Sequence, residues 1–226
     1  DVDVHALLTS QEPSALRVEA ARARAAGFRV LKLKLGAAAL ATDVERARAA
    51  RDGAGVAIAL RGDANGAWDE AAATAALAAL APFGFEYVEQ PLPAADVAGL
   101  AALRGRSPVR IAADESVATA EGAQRLIASD AVDVVVLKPA TLGGPLRALE
   151  IAALARDAGM QVVFSHAFES AVGARHALHC AAAWGEVDAV HGLGTVGLFV
   201  QDVAEPVDGA NGVVSVGAGP GIGAAP

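Results

Sequence analysis

Four ionisable residues stand at the ends of apolar runs, and their spacing is nearly constant. Asp63 follows Val56-Ala57-Ile58-Ala59-Leu60 by way of Arg61-Gly62, and Glu89 follows Glu86-Tyr87-Val88. Asp114 follows Ile111-Ala112-Ala113, and Lys138 follows Val134-Val135-Val136-Leu137. The gaps are 26, 25 and 24 residues. One acid before Asn-Gly is normally a turn former, and Asp114 before Glu115-Ser116 also reads as a cap. Recurrence at three evenly spaced strand ends favours a shared site. Carboxylates gathered in one cleft raise one another's pKa, and a divalent cation removes that penalty. All-oxygen ligation suits Mg²⁺, with Mn²⁺ as a substitute, and not zinc.

The second chemical signal is Val30-Leu31-Lys32-Leu33-Lys34-Leu35. Period two puts Lys32 and Lys34 on one face with Val30, and the leucines on the other. In a barrel the lysine face is the interior; on an edge strand it would be solvated. Two adjacent inward lysines depress each other's pKa, and a deprotonated amine serves as a general base. Lys138 ends a run too apolar for an edge. In a ring of eight strands it lies opposite the lysine strand, with the three acid-bearing strands between. That arrangement suits proton abstraction α to a carboxylate, with a cation stabilising the dianionic intermediate.

The elements that must position these groups alternate. Strands are expected at Val4–Leu8, Phe28–Leu35, Val56–Leu60, Phe85–Val88, Val109–Ala112, Val132–Leu137 and Gln161–Phe164, with a weak eighth at Ala189–His191. Helices fill the intervals, for example from Pro13 to Ala26 with Gly27 as the stop. The alternation predicts an α/β fold with a parallel sheet. Functional groups at the strand C-termini favour a TIM-like (β/α) barrel over an open sheet. No Gly-x-Gly-x-x-Gly follows the first strand, which weakens a nucleotide-binding reading. The barrel is expected over residues 1–199. Residues 200–226, rich in Gly and Pro, are expected to form an irregular tail that packs on other structure.

Composition narrows the partners. With 226 residues and 54% hydrophobic content, much of it Ala, the chain can bury a sizeable core. A formal charge of −8 without a basic stripe argues against nucleic acid. No apolar run approaches membrane-span length. The single cysteine, Cys180, excludes an internal disulfide and fits a reducing cytoplasm.

Taken together, Lys32-x-Lys34, Asp63-Ala64-Asn65-Gly66, Glu89-Gln90-Pro91, Asp114-Glu115-Ser116 and Lys138-Pro139 resemble the enolase superfamily, specifically its muconate-lactonizing subgroup. The resemblance covers essentially the whole chain. It implies that Asp63, Glu89 and Asp114 bind Mg²⁺, with Asn65 supporting that shell. It also implies that Lys34 is the base, that Lys138 stabilises the enolate from the opposite face, and that Lys32 tunes Lys34. Phe164-Ser165-His166-Ala167-Phe168-Glu169-Ser170 and His191-Gly192-Leu193-Gly194-Thr195 look like the seventh- and eighth-strand substrate loops, so Ser165, His166 and Gly192 are candidate substrate contacts. For Ser165 and His166, ordinary loop polarity is the competing reading.

The branch resembled most dehydrates 2-succinyl-6-hydroxy-2,4-cyclohexadiene-1-carboxylate to o-succinylbenzoate, in menaquinone biosynthesis. An N-acylamino acid racemase or a muconate cycloisomerase of the same superfamily is the alternative. The Asp-x-Asp usual on the eighth strand of dipeptide epimerases is absent. Family members carry an α+β capping domain before the barrel, whereas this sequence starts at the first barrel strand. The expectation is therefore a trimmed or reduced member, or a barrel that is inactive without a capping partner. The implied partner is a small-molecule carboxylate; oligomeric state is open.

Overall fold

A computed structural model describes residues 1–186, 188–194, 201–207, 209, 211–217 and 219–223. Short apolar runs form the strands, and the Ala-rich stretches between them form the helices. In chain order the elements are β1 (Val2–Val4), β2 (Ala6–Leu8), α1 (Pro13–Ala25), β3 (Val30–Lys34), α2 (Leu40–Ala54), β4 (Ala59–Asp63), α3 (Glu70–Leu80) and β5 (Phe85–Glu89). Then follow α4 (Val97–Arg104), β6 (Arg110–Ala113), α5 (Ala120–Ala128), β7 (Val134–Leu137), α6 (Pro145–Asp157), β8 (Gln161–Phe164), α7 (Ala171–Trp184), β9 (Val190–His191) and β10 (Val213–Val214).

Strands β2 to β8 make one parallel sheet in sequence order. Strand β1 pairs in parallel with β9 and antiparallel with β10. The ring closes where Ser165 bridges Gly192, with Gly192 N donating to Phe164 O at 2.8 Å and His5 N to His191 O at 3.0 Å. This is the TIM-like (β/α) barrel expected from the alternation.

The expected first strand, Val4–Leu8, is in fact two short strands that break at His5. Its halves pair with different neighbours, β9 on one side and β3 on the other. The third strand also differs. It runs over Ala59–Asp63, three residues later than the Val56–Leu60 expected, and Val56 is 95% exposed. Helix α2 extends to Ala54, and Arg51 Nη1 takes the carbonyls of Gly55 (2.6 Å) and Ile58 (2.7 Å), which satisfies this loop without strand pairing. Asp63 therefore ends the strand itself, opposite Lys34 in register.

Strand alternation separates two cores. Leu31, Leu33 and Leu35 join the large layer between sheet and helices, while Tyr87, Ala112, Val134, Val136 and Val163 form a small cluster of their own. Gly62 lies in the outer layer, where a Cβ would come 2.5 Å from Leu35 Cδ1. Small residues let the helices sit close to the sheet. In the tail, Val2 pairs with Val214, and Val4 N donates to Gly212 O at 2.9 Å. The expected boundary at 199/200 lies outside the described residues. No helix among the described residues is long and apolar enough to cross a membrane.

Candidate active site

Strands β3 to β7 deliver their charges to one mouth. Lys34, Asp63 and Glu89 are the last residues of β3, β4 and β5, and Asp114 and Lys138 come directly after β6 and β7. In-register pairing sets Lys34 beside Asp63 and Asp63 beside Glu89. All ten residues singled out from the sequence line one cavity of about 180 Å³. They are Lys32, Lys34, Asp63, Asn65, Glu89, Asp114, Lys138, Ser165, His166 and Gly192.

Ammonium and carboxylate groups interlock there. Lys32 Nζ donates to both Glu89 oxygens at 2.8 Å and lies 2.9 Å from Asp63 Oδ2. Lys34 Nζ donates to Asp63 Oδ2 at 2.7 Å and Asn65 Oδ1 at 2.8 Å, while Lys138 Nζ donates to Asp114 Oδ2 at 2.5 Å. The two neighbouring lysines are not equivalent: the Lys34 side chain is 42% exposed and that of Lys32 only 10%. Lys34 reaches open cavity, whereas Lys32 is a buried tie.

The electrostatics follow from these pairings. Burial would lower the Lys32 ammonium, yet Glu89 and Asp63 hold it above the usual lysine range. The expected mutual depression of the two lysines is therefore overturned for Lys32, because carboxylates dominate its surroundings. Burial would raise Asp63, but Lys32 and Lys34 together bring it down to about 2. Glu89 is pushed up to about 8: burial comes first, and Asp63 and Asp114 add to it against the single shared Lys32.

In this arrangement no three His, Cys, Asp or Glu side chains among the described residues converge closely enough to hold a metal ion. The lysine ammoniums lie against the oxygens that would face one. The donor set nevertheless fits a hard divalent cation. Asp63, Glu89 and Asp114 are all-oxygen donors, 1%, 1% and 5% exposed, at three neighbouring strand ends.

Backbone placement is also held. Asn65 N donates to Asp63 Oδ1 at 3.1 Å, and its side-chain amide donates to Glu115 Oε1 at 3.0 Å. Gln90 is fully buried at φ 42°. Its Oε1 accepts the N–H groups of Asp114 (3.0 Å) and Ser116 (3.1 Å), and its Nε2 donates to Leu92 O and Ser116 Oγ. A non-glycine residue in this region costs roughly 1–3 kcal/mol and persists when its surroundings dictate it. Across the mouth, Ser165 Oγ donates to Gly192 O at 3.0 Å. A Cβ at position 192 would lie 2.7 Å from Ser165 Oγ, so any larger residue would push that hydroxyl aside. The buried His166 faces Glu169, with Nδ1 3.4 Å from Oε2, and meets Phe168 edge-on at 6.3 Å. Thr195 lies outside the described residues.

Known proteins share this sequence pattern and this barrel. Residues 15–226 match the family described as enolase C-terminal domain-like. The chain belongs to the enolase C-terminal domain-like family. Within it, the chain is similar to the o-succinylbenzoate synthase of Mycolicibacterium smegmatis, at 45% identity over 206 residues, or 90% of this chain and 62% of that protein. The Mycobacterium leprae o-succinylbenzoate synthase is also 45% identical, over 90% of this chain and 60% of its own length. The chain thus spans about three fifths of these relatives. Among solved structures, a dipeptide epimerase from Enterococcus faecalis superposes with a TM-score of 0.92 at 30% identity, covering 99% of this chain and 65% of that one. Muconate lactonizing enzyme from Pseudomonas putida gives 0.92 at 27% identity, covering 99% and 63%.

Several residues of this site were given no role of their own from the sequence. His5, Leu7 and Phe168 line the same cavity, and Gln90 ties two strand-end loops together. Arg61, which carries the chain from the apolar run to Asp63, is 1% exposed inside the barrel. Period two from Asp63 places Arg61 on the interior face, so alternation could have found it.

Proposed function

We propose that this barrel is the catalytic part of a lyase that dehydrates 2-succinyl-6-hydroxy-2,4-cyclohexadiene-1-carboxylate to o-succinylbenzoate, a reaction of menaquinone biosynthesis in the cytoplasm. The carrying observation is the pair of lysines, Lys34 and Lys138, on opposite strands of one cavity, each against a buried carboxylate at the intervening strand ends. The similarity to o-succinylbenzoate synthases supports this substrate over others of the family.

Mg²⁺, held by Asp63, Glu89 and Asp114, would supply positive charge for the substrate carboxylate as its α-carbon loses a proton. Lys34, the exposed member of its pair, takes that proton as the neutral amine. The hydroxyl on the adjacent carbon leaves as the ring double bond forms. Lys34 then returns the same proton to it, so water departs from the face on which the proton was removed. Lys138 keeps its ammonium opposite, stabilising the carbanion without a net proton change. Lys32 holds Asp63 and Glu89 in place.

The test is turnover by purified protein. Lys34→Ala and Lys138→Ala should each lower kcat at least 10²–10⁴-fold, the usual weight of a positioned acid or base. Near-full dehydration by a folded Lys34→Ala protein contradicts the assignment. An N-acylamino acid racemase would use the same lysines, and the 30% identity to a dipeptide epimerase gives that reading weight. Racemisation of N-succinyl amino acids without dehydration, or lactone formation from muconate, would move the substrate assignment accordingly.

A further inference from the structure

His5 sits at the break between β1 and β2, and its ring lines the cavity. Its Nδ1 is 3.3 Å from Arg61 Nη1. A guanidinium has donors and no acceptor, so Nδ1 is the bare acceptor and the proton of the neutral ring belongs to Nε2. Arg61 is locked in this pose. Its Nε donates to Glu86 Oε2 at 2.8 Å, its Nη1 also donates to Val190 O at 2.7 Å, and the guanidinium stacks 4.8 Å over the Tyr87 ring. Burial, then the charges of Arg61 and Lys32, hold the His5 pKa well below the ordinary range, which keeps the ring neutral.

The other edge of the ring faces the substrate loops. A Cβ at position 192 would come 3.2 Å from His5 Cε1. No hydrogen bond occupies Nε2 among the described residues. The lysine ammoniums of the cavity are already engaged with carboxylates, so His5 offers a neutral N–H of fixed direction outside that network.

We propose that His5 is a substrate-binding residue whose Nε2–H donates to a ketone or carboxylate oxygen on the substrate's side chain, away from the carbon that loses its proton. Arg61 is the positioning residue that sets the tautomer. The opposite tautomer would present a lone pair and repel the same oxygen, so the arginine decides which substrates are accepted. This rests on the dehydration reading only for the identity of the side chain.

Two measurements test it. NMR of protein labelled with ¹⁵N-histidine reads the tautomer without any ligand. A single Nε2–H form is expected at neutral pH; an Nδ1–H form or an imidazolium overturns the proposal. Arg61→Met should mix the two tautomers, and a pure Nε2–H spectrum there removes Arg61 from the scheme. Calorimetry with Mg²⁺ then compares o-succinylbenzoate and an N-succinyl amino acid as ligands. His5→Leu should weaken binding about tenfold, as for loss of one hydrogen bond to a charged or polar acceptor. His5→Gln, which keeps an N–H, should stay within about threefold. In turnover the change should fall on KM more than kcat. Unchanged affinity in a folded His5→Leu protein overturns the proposal. Wild-type binding of the amino acid derivative alone overturns the dehydration reading, and His5 is then judged on that ligand. Binding of neither overturns both.

Discussion

Arg46 reaches Lys34 from outside the barrel, its Nη1 donating to the Lys34 carbonyl oxygen at 2.8 Å. Asp43 completes the grip by accepting the Gly36 N–H at 2.7 Å and the same arginine nitrogen at 3.1 Å. Both side chains are buried on α2. They pin the backbone on each side of the strand end that presents Lys34.

The two halves of this clamp should differ in weight. Arg46 Nε and Nη2 have no partner among the described residues. Asp43→Ala strands a buried guanidinium and should cost roughly 3–5 kcal/mol. Arg46→Met removes two unsatisfied donors together with the Nη1 bonds to Lys34 O and Asp43, but Asp43 keeps the Gly36 N–H, so it should cost less, about 1–3 kcal/mol. Urea melts give the order directly, and the reverse order would contradict the account.

Gln90 should matter to metal affinity more than to folding. Gln90→Leu leaves the Asp114 and Ser116 N–H groups without their acceptor, so the loop carrying Asp114 loosens. Outer partners of metal ligands typically contribute 10–100-fold in affinity, and a loss of about that size is expected by calorimetry with Mg²⁺. Equal affinity in the variant would assign Gln90 to loop structure alone.

Acid should weaken the fold through His191. Burial, then Arg61, bring its pKa down to about 4, and its Nδ1 accepts the Phe164 N–H at 3.0 Å, which only an unprotonated nitrogen can do. Unfolded, the ring titrates near 6.5, so between about 4 and 6.5 the unfolded chain binds more protons than the folded one. Stability from this group is complete above the higher value and disappears as pH falls through the window, by about 3 kcal/mol. His191→Asn keeps an acceptor but does not titrate there. Denaturation at stepped pH should show a flatter acid limb for it; parallel curves would rule this out.

Mg²⁺ should raise the melting temperature in a concentration-dependent way. The gain is tempered because Lys32, Lys34 and Lys138 already face the carboxylates and must yield. At a hundredfold excess over Kd the stabilisation should be about 2.7 kcal/mol. Asp63→Asn should lose most of it. A melting temperature indifferent to both Mg²⁺ and chelator would count against the metal assignment.

The barrel and the chemistry-bearing strand ends were legible because burial on both faces writes continuous apolar runs, and an acid or lysine directly after such a run stands out. Lys32 and Lys34 were legible for a different reason, the strict alternation with leucine. The start of β4 was not, since Val56 and Ile58 look like strand residues, yet the Arg51 side chain takes up the Gly55 and Ile58 carbonyls in a loop. The break at His5 was equally hidden: it depends on which strands lie on either side. Gln90 and Arg61 were passed over because, Leu92 apart, the hydrogen-bond partners of their side chains are 24 to 129 residues away in sequence. Period can say that a side chain points inward, but not what it meets there.

The closure of the ring is uneven. Lys34 and Asp63 end a continuous ladder that begins at Val30 and Ala59. Strand β8, by contrast, meets β9 through the isolated Ser165–Gly192 bridge. Pairing is therefore continuous beside Lys34 and Asp63 and reduced to a single bridge at the Ser165–Gly192 seam. On the proposed reading, substitutions along that seam should alter what the mouth accepts while Lys34 and its carboxylates keep their places, so specificity is expected to change more readily here than chemistry.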